Sequence, residues 1–337
     1  MKIRGLIVMA ALAAVASISQ AQAPAAPAPD PKGAVPGNAA VSPQGAGESS
    51  DDNPVATFRV PVNEVNVIFT VTDKHGRFIK NLTRDDFTVL DDKKPPKSID
   101  LFRSETDLPL RVGLLVDASN SIRDRFLFEQ QAAATFLRQI VRPQTDKAFV
   151  LAFDEASNIT QDFTNDQDKL AHGIKVIRPG GGTAMWDAVY NACKDKLMNE
   201  HAENNQTLRK ALVVVSDGDD NQSRVTRQQA IEMAQHAGVI IYAISTNLSN
   251  IHDSGDHNLK ALAEATGGRA FYPFKLHDLT EAFRNIREEL RSQYAISYKP
   301  QQFEANGQYR PIQIAAQNKH YRVRAKKGYF VPKATGN

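Results

Sequence analysis

The chain has 337 residues, 42% apolar and 23% charged, with 41 basic against 38 acidic side chains. That length allows more than one hydrophobic core, and a formal net charge of +3 gives no footing for electrostatically driven nucleic-acid binding. A single cysteine, Cys193, excludes an intramolecular disulfide framework and any multi-cysteine zinc site.

The first segment has the pattern of an export signal. Lys2 and Arg4 precede an uncharged, largely apolar stretch from Gly5 to Ile18, shorter than the roughly 20 residues a membrane-spanning helix needs. Ser19-Gln20-Ala21 follows as a small-residue cleavage motif, so residues 1–21 are expected to be removed. A cut after Ala23 instead would put Pro24 beside the scissile bond. No cysteine follows, which argues against a bacterial lipid anchor; an uncleaved N-terminal anchor is the alternative. The expectation is a periplasmic, cell-surface or extracellular protein with no membrane span after cleavage. Residues 22–55 are rich in Ala, Pro, Gly and Ser and hold no aromatic side chain, a composition unable to bury enough surface to order itself. They are read as a spacer.

From 56 to 108 the chain alternates like β-strands, with Val65, Val67, Phe69 and Val71 on one face. Turns at Asp73–Gly76 and Asp91–Lys93 separate it from short strands near Phe87–Leu90 and Ser98–Arg103, predicting a small antiparallel unit. At Leu110 the pattern changes to continuous apolar runs: Val112–Val116, Ala148–Phe153, Ala211–Val215 and Val239–Ile244. Such runs suit strands buried on both faces of a parallel sheet. Helical spacing appears at 122–141, 184–198, 226–237, 258–266 and 278–292. Alternating strands and helices over 109–292 predict an α/β, doubly wound, mostly parallel sheet of Rossmann-like form. Strand character returns at Tyr294–Tyr298, Ile312–Ile314 and Tyr321–Arg324, so 293–333 are expected to complete a β-sandwich-like unit built from both flanks. His320, Arg322, Arg324 and Lys326 are expected to form a solvated basic strand face.

In open α/β sheets ligands bind outside the carboxyl ends of the strands. There this sequence places oxygen-bearing side chains. The first buried strand runs into Asp117-Ala118-Ser119-Asn120-Ser121, the third into Ser216-Asp217-Gly218, and Gly180-Gly181-Gly182-Thr183 opens a helix. Each piece alone has an ordinary explanation, as helix caps or Asx turns. Together, two carboxylates and three hydroxyls suit Mg2+ or Mn2+.

Asp117-x-Ser119-x-Ser121, Thr183 in a Gly-Gly-Thr loop and Asp217 in Ser-Asp-Gly resemble the metal-ion-dependent adhesion site of von Willebrand factor type A (VWFA) domains. The resemblance covers about 109–292. The flanks, "VNVIFTVTDKHGRFIKNLTRDDFTVLDD" and "LRSQYAISYKP…YRVRAKKGYF", resemble secreted bacterial VWFA-related proteins of the kind abundant in Acidobacteria. What the resemblance implies is a binding mechanism: Asp117, Ser119, Ser121, Thr183 and Asp217 hold the divalent metal, directly or through water, and an open position accepts an Asp or Glu carboxylate from a partner protein. Two protein carboxylates only balance a divalent ion, so a third anionic ligand remains attractive to it.

Competing signals fail on residue identity. Asp217-x-Asp219-x-Asn221 starts like an EF-hand loop, but Gln222 and Gln228 stand where Gly and the bidentate Glu belong. The glycine run has no phosphate-binding lysine. His252–His257 is read as a solvated loop rather than a transition-metal site, and Cys193 as a small core residue. No nucleophile–base set is evident, so the expectation is a binding protein and not an enzyme. Two other readings are a structural envelope protein with a vestigial metal site and a metal-assisted hydrolase.

Overall fold

The computed structural model describes residues 64–104, 108–120, 126–200, 208–247, 251–304 and 306–331. The expected export signal and spacer lie outside them, as does Ser121.

The central element is a six-stranded sheet with the order β6-β5-β4-β7-β8-β9. Its strands are β4 (Leu110–Asp117), β5 (Lys147–Phe153), β6 (Ser157–Thr164), β7 (Arg209–Ser216), β8 (Val239–Ser245) and β9 (Ala270–Phe271). All neighbours are parallel except β5 and β6, which form an antiparallel edge pair. The apolar runs bury because each strand alternates between two helical layers. Val112, Leu114, Val150, Val213 and Tyr242 face α1 (Phe126–Ile140), α2 (Gln167–Lys175) and α6 (Leu276–Leu290). Leu115, Phe149, Leu212 and Ile241 face α3 (Met185–Asn191), α4 (Arg227–His236) and α5 (Ser254–Thr266). Gly113 sits on that second face because a Cβ there would lie 2.3 Å from the Phe149 ring and 2.5 Å from Leu212. Sheet and helices match the predicted architecture.

Besides the two-residue β9, two elements of this domain carry no helical or strand signature in the sequence. Helix α2 buries only Leu170, Gly173 and Ile174, too few apolar side chains to show a period; its one local signal is Asp166, whose side chain accepts from the amides of Asp168 and Lys169. Strand β6 is only partly buried along its length, as an edge strand is. The helix predicted over 184–198 is α3 continued by a π-helical segment, Ala192–Leu197. Cys193 lies there fully buried, and burial pushes its thiol pKa up, consistent with a packing role.

The β-unit is assembled from both flanks. A four-stranded antiparallel sheet has the order β12-β1-β10-β3, and a three-stranded one β13-β11-β2. Here β1 is Val65–Thr72, β2 Phe87–Asp91, β3 Ser98–Ser104, β10 Gln293–Lys299, β11 Tyr309–Ala316, β12 Arg322–Ala325 and β13 Gly328–Phe330. Strand β10 pairs β1 on one side and β3 on the other, so the segment after α6 completes a sheet begun before β4. The core between the sheets includes Val67, Phe69, Phe87, Tyr294 and Ile296. At one end Asp91 is buried and accepts from the hydroxyls of Tyr298 at 2.8 Å and Tyr329 at 2.9 Å and from Arg310 Nε at 2.7 Å.

The basic strand face is not uniformly solvated. His320 and Arg322 are exposed, whereas Arg324 reaches the buried Glu289 of α6, the Thr70 hydroxyl and the Gly267 carbonyl. Lys326 lies over the Tyr329 ring, and burial lowers its ammonium pKa to about 8. Arg324, which by alternation looked solvent-exposed, instead faces the α/β domain, a contact that strand propensity alone does not reveal.

Candidate functional site

The strand order reverses at β4, with β5 to one side and β7 to the other. A crevice at the carboxyl ends of adjacent strands at such a reversal is the place where doubly wound sheets bind ligands. The β4–β7 register pairs Val116 with Val215, so Asp117 and Ser216 leave their strands side by side.

Asp117 is fully buried. Its Oδ1 accepts from the Ser119 amide at 2.8 Å, and its Oδ2 accepts from the Ser216 hydroxyl at 2.6 Å. The Ser216 oxygen in turn accepts from the Gly218 amide at 3.0 Å, so one carboxylate aligns the ends of two strands. Burial raises the Asp117 pKa to about 6; the Ser216 and Ser119 hydrogen bonds oppose this, and the neighbouring Asp217 adds to it. Asp219 is also raised, by burial first and then by the charges of Asp217 and Asp253. The crevice is thus a concentration of negative charge.

Three loops are tied together by backbone bonds. The Gly180 amide donates to the Ala118 carbonyl at 2.6 Å, and Ala184 to the Asp154 carbonyl at 2.6 Å, which sets the glycine loop across the ends of β4 and β5. The Thr183 carbonyl accepts from the amides of Asn221 and Gln222, both at 3.0 Å, and Asn221 Oδ1 accepts from the Thr183 amide at 3.0 Å. Asp220 then accepts from the Trp186 amide at 3.0 Å, anchoring the start of α3 to the loop after β7. On the other side that loop lies on α5. Gly218 has φ +84°, and a Cβ on it would stand 2.2 Å from the Gly255 carbonyl oxygen, so this position requires glycine twice over.

Of the predicted ligands, Ser119 and Thr183 are buried and Asp217 is partly buried, all on these converging loops; Ser121 is outside the described residues. The sequence reasoning missed Ser216, Asp220 and Asn221 as supports. Their partners lie 34 to 99 positions away, and no local pattern marks such pairings. Among the described residues no group of three or more His, Cys, Asp or Glu is arranged to hold a metal. The donor set here is different: two carboxylates with hydroxyls, hard oxygens that fit a small divalent ion. The Asp117 carboxylate accepts from Ser119 and Ser216, and its two oxygens offer about four lone-pair sites, so it can still serve a cation or a metal-bound water.

The sequence profile of the von Willebrand factor type A domain matches residues 112–289, and the chain belongs to that family. An uncharacterized protein of Borreliella burgdorferi is 25% identical over 132 residues, which are 38% of this chain and 36% of that protein. The chain therefore spans about a third of that relative's length. Among solved structures, proximal thread matrix protein 1 from the mussel byssus, with a zinc-occupied MIDAS motif, is 14% identical at a TM-score of 0.48, covering 60% of this chain and 50% of that one. The vWF domain of the type V pili tip protein Mfa5 from Porphyromonas gingivalis is 14% identical at a TM-score of 0.42, covering 55% and 95%.

Proposed function

We propose that this chain is an exported, non-enzymatic binding module whose VWA domain captures a partner protein's Asp or Glu carboxylate through Mg2+ or Mn2+. Asp117, Ser119, Ser121, Thr183 and Asp217 would hold the ion, which when bound supplies an electrophilic position for one further anionic oxygen. The chain's own part is to keep the donors aligned: Ser216 orients Asp117, Asn221 fixes Thr183, and Gly218 lets the Asp217 turn sit flush on α5. In this reading residues 1–21 direct export, 22–55 are a spacer, 109–292 form the binding domain, and 56–108 with 293–333 form its β-unit. Among the described residues no helix is long and apolar enough to cross a membrane.

One observation carries the reading. The buried Asp117 carboxylate stands at the strand-order reversal, held by a hydroxyl from the neighbouring strand, with the Thr183 and Asp217 loops tied around it. The test is retention of the protein on an immobilised Asp-containing peptide in Mg2+ and in EDTA. Retention in Mg2+, its loss in EDTA and its loss in Thr183→Ala are expected. Retention indifferent to both would overturn the reading.

A further inference from the structure

A cavity of about 210 Å3 lies where β1, β3 and β10 meet the amino ends of β7 and β8, the end of the parallel sheet opposite the proposed metal site. Its walls are largely apolar, with Val67, Ile68, Leu208 and Val239 among them. Pockets for drug-sized ligands run from about 300 to 1,000 Å3, so this one suits a ligand of a few heavy atoms.

The charged side chains lining it are Lys210, Lys326 and Arg103; all are basic, and no carboxylate among the described residues joins them. Lys210 Nζ donates to the Met198 carbonyl at 3.2 Å and lies in the field of Glu200. The Lys326 amine makes no ion pair or hydrogen bond among the described residues and stands 5.9 Å from the centroid of the Tyr329 ring. Its place is set by the backbone. A Cβ on Gly267, which has φ +86° at the end of α5, would lie 2.6 Å from the Lys326 amide nitrogen, so glycine there lets the segment seat against the helix. An ammonium among apolar walls, with no counter-ion and two further cations on the same cavity, gives up its proton readily; burial lowers this one to about 8. The free amine so formed is a nucleophile. Size and charge then narrow what it attacks. An acyl donor brings a leaving group as well as the acyl part and gives a neutral amide. Carbon dioxide has three atoms and no charge, suits apolar walls, and gives an anion on a cavity lined by two cations.

We propose that Lys326 takes up carbon dioxide as a carbamate, whose negative charge is balanced by Lys210 and Arg103. The Nζ lone pair forms the N–C bond, one C–O π pair moves onto oxygen, and the nitrogen's proton leaves to water. No leaving group or redox partner is needed, and the adduct reverses when carbon dioxide is withdrawn. The inference does not rest on the metal reading.

The experiment equilibrates the metal-free protein with carbon dioxide and bicarbonate at a pH of about 8, where the Lys326 amine is half free. Triethyloxonium then ethylates carbamate oxygens and makes the adduct permanent, and mass spectrometry of the peptides locates it. Occupancy at Lys326 should exceed that at its exposed neighbour Lys327, which is paired with Glu264, by at least about tenfold. Lys210→Gln removes one balancing cation and should lower Lys326 occupancy about tenfold. No adduct at Lys326, occupancy no higher than at Lys327, or indifference to Lys210→Gln would each overturn the proposal. The first two are read in the wild type, so they stand whatever the variant does to folding.

Discussion

Two aspartates at opposite ends of the parallel sheet are equally buried, yet their pKa values shift in opposite directions. Asp117 has only neutral donors, from Ser216 and Ser119, and an anionic neighbour, and burial wins. Asp146 is as deeply buried, yet it accepts from the Leu110 amide, from Arg142 through both backbone and side chain, and from Arg291. Burial alone would raise its carboxyl; the guanidinium and amide donors prevail and hold it below the usual carboxylate range. A carboxyl depressed in the folded state contributes stability above the unfolded pKa of about 4 and loses it as pH falls. Urea midpoints measured against pH should therefore drop more steeply in acid for the wild type than for Asp146→Asn. At neutral pH Asp146→Asn should cost about 3 kcal/mol, because two guanidinium groups lose their buried counter-charge. Equal acid limbs would refute the assignment.

Among the elements, β12 shows what strand pattern can and cannot tell. Its residues 322 and 324 look interchangeable in sequence, two arginines on one face. In the fold Arg322 is exposed, while Arg324 bridges β12 to α6 through Glu289, itself buried and accepting from the Tyr242 hydroxyl at 2.9 Å. Arg324→Ala leaves that carboxylate without its cation and should destabilise by about 3 kcal/mol, against about 0.5 kcal/mol or less for Arg322→Ala. Thermal melts of the two variants check this, and equal shifts would contradict it. The same limit applied to α2 and β6. Continuous apolar runs announce strands buried on both faces, and four such runs marked the parallel core. An edge strand and a helix with two apolar contacts bury too little to leave a period.

At the scale of the molecule, the feature written most plainly in the sequence is the alternation of β, α/β and β character along the chain. Both flanks share a sheet: β10 lies between β1 and β3, so neither of those strands has a neighbour on that side without it. Ending the chain at residue 292 should therefore leave residues 64–104 sensitive to protease while the parallel sheet persists; limited proteolysis read by mass spectrometry tests this, and a protected N-terminal segment would contradict it. The meeting of three loops at the sheet's reversal was legible too, because Asp117 ends a buried strand, Asp217 directly follows another and Thr183 lies just before a helix. The supporting Ser216, Asp220 and Asn221 were not, since each acts through a partner on a distant loop.

The central claim is that these loops hold a divalent cation. Calorimetric titration of Mg2+ and Mn2+ into the metal-free protein tests it most directly, with Asp217→Ala beside it. That residue is only partly buried, so its loss should spare the fold. One-site binding in the wild type, weakened about 100-fold or lost in the variant, is predicted. Binding of equal strength in both proteins would contradict the account.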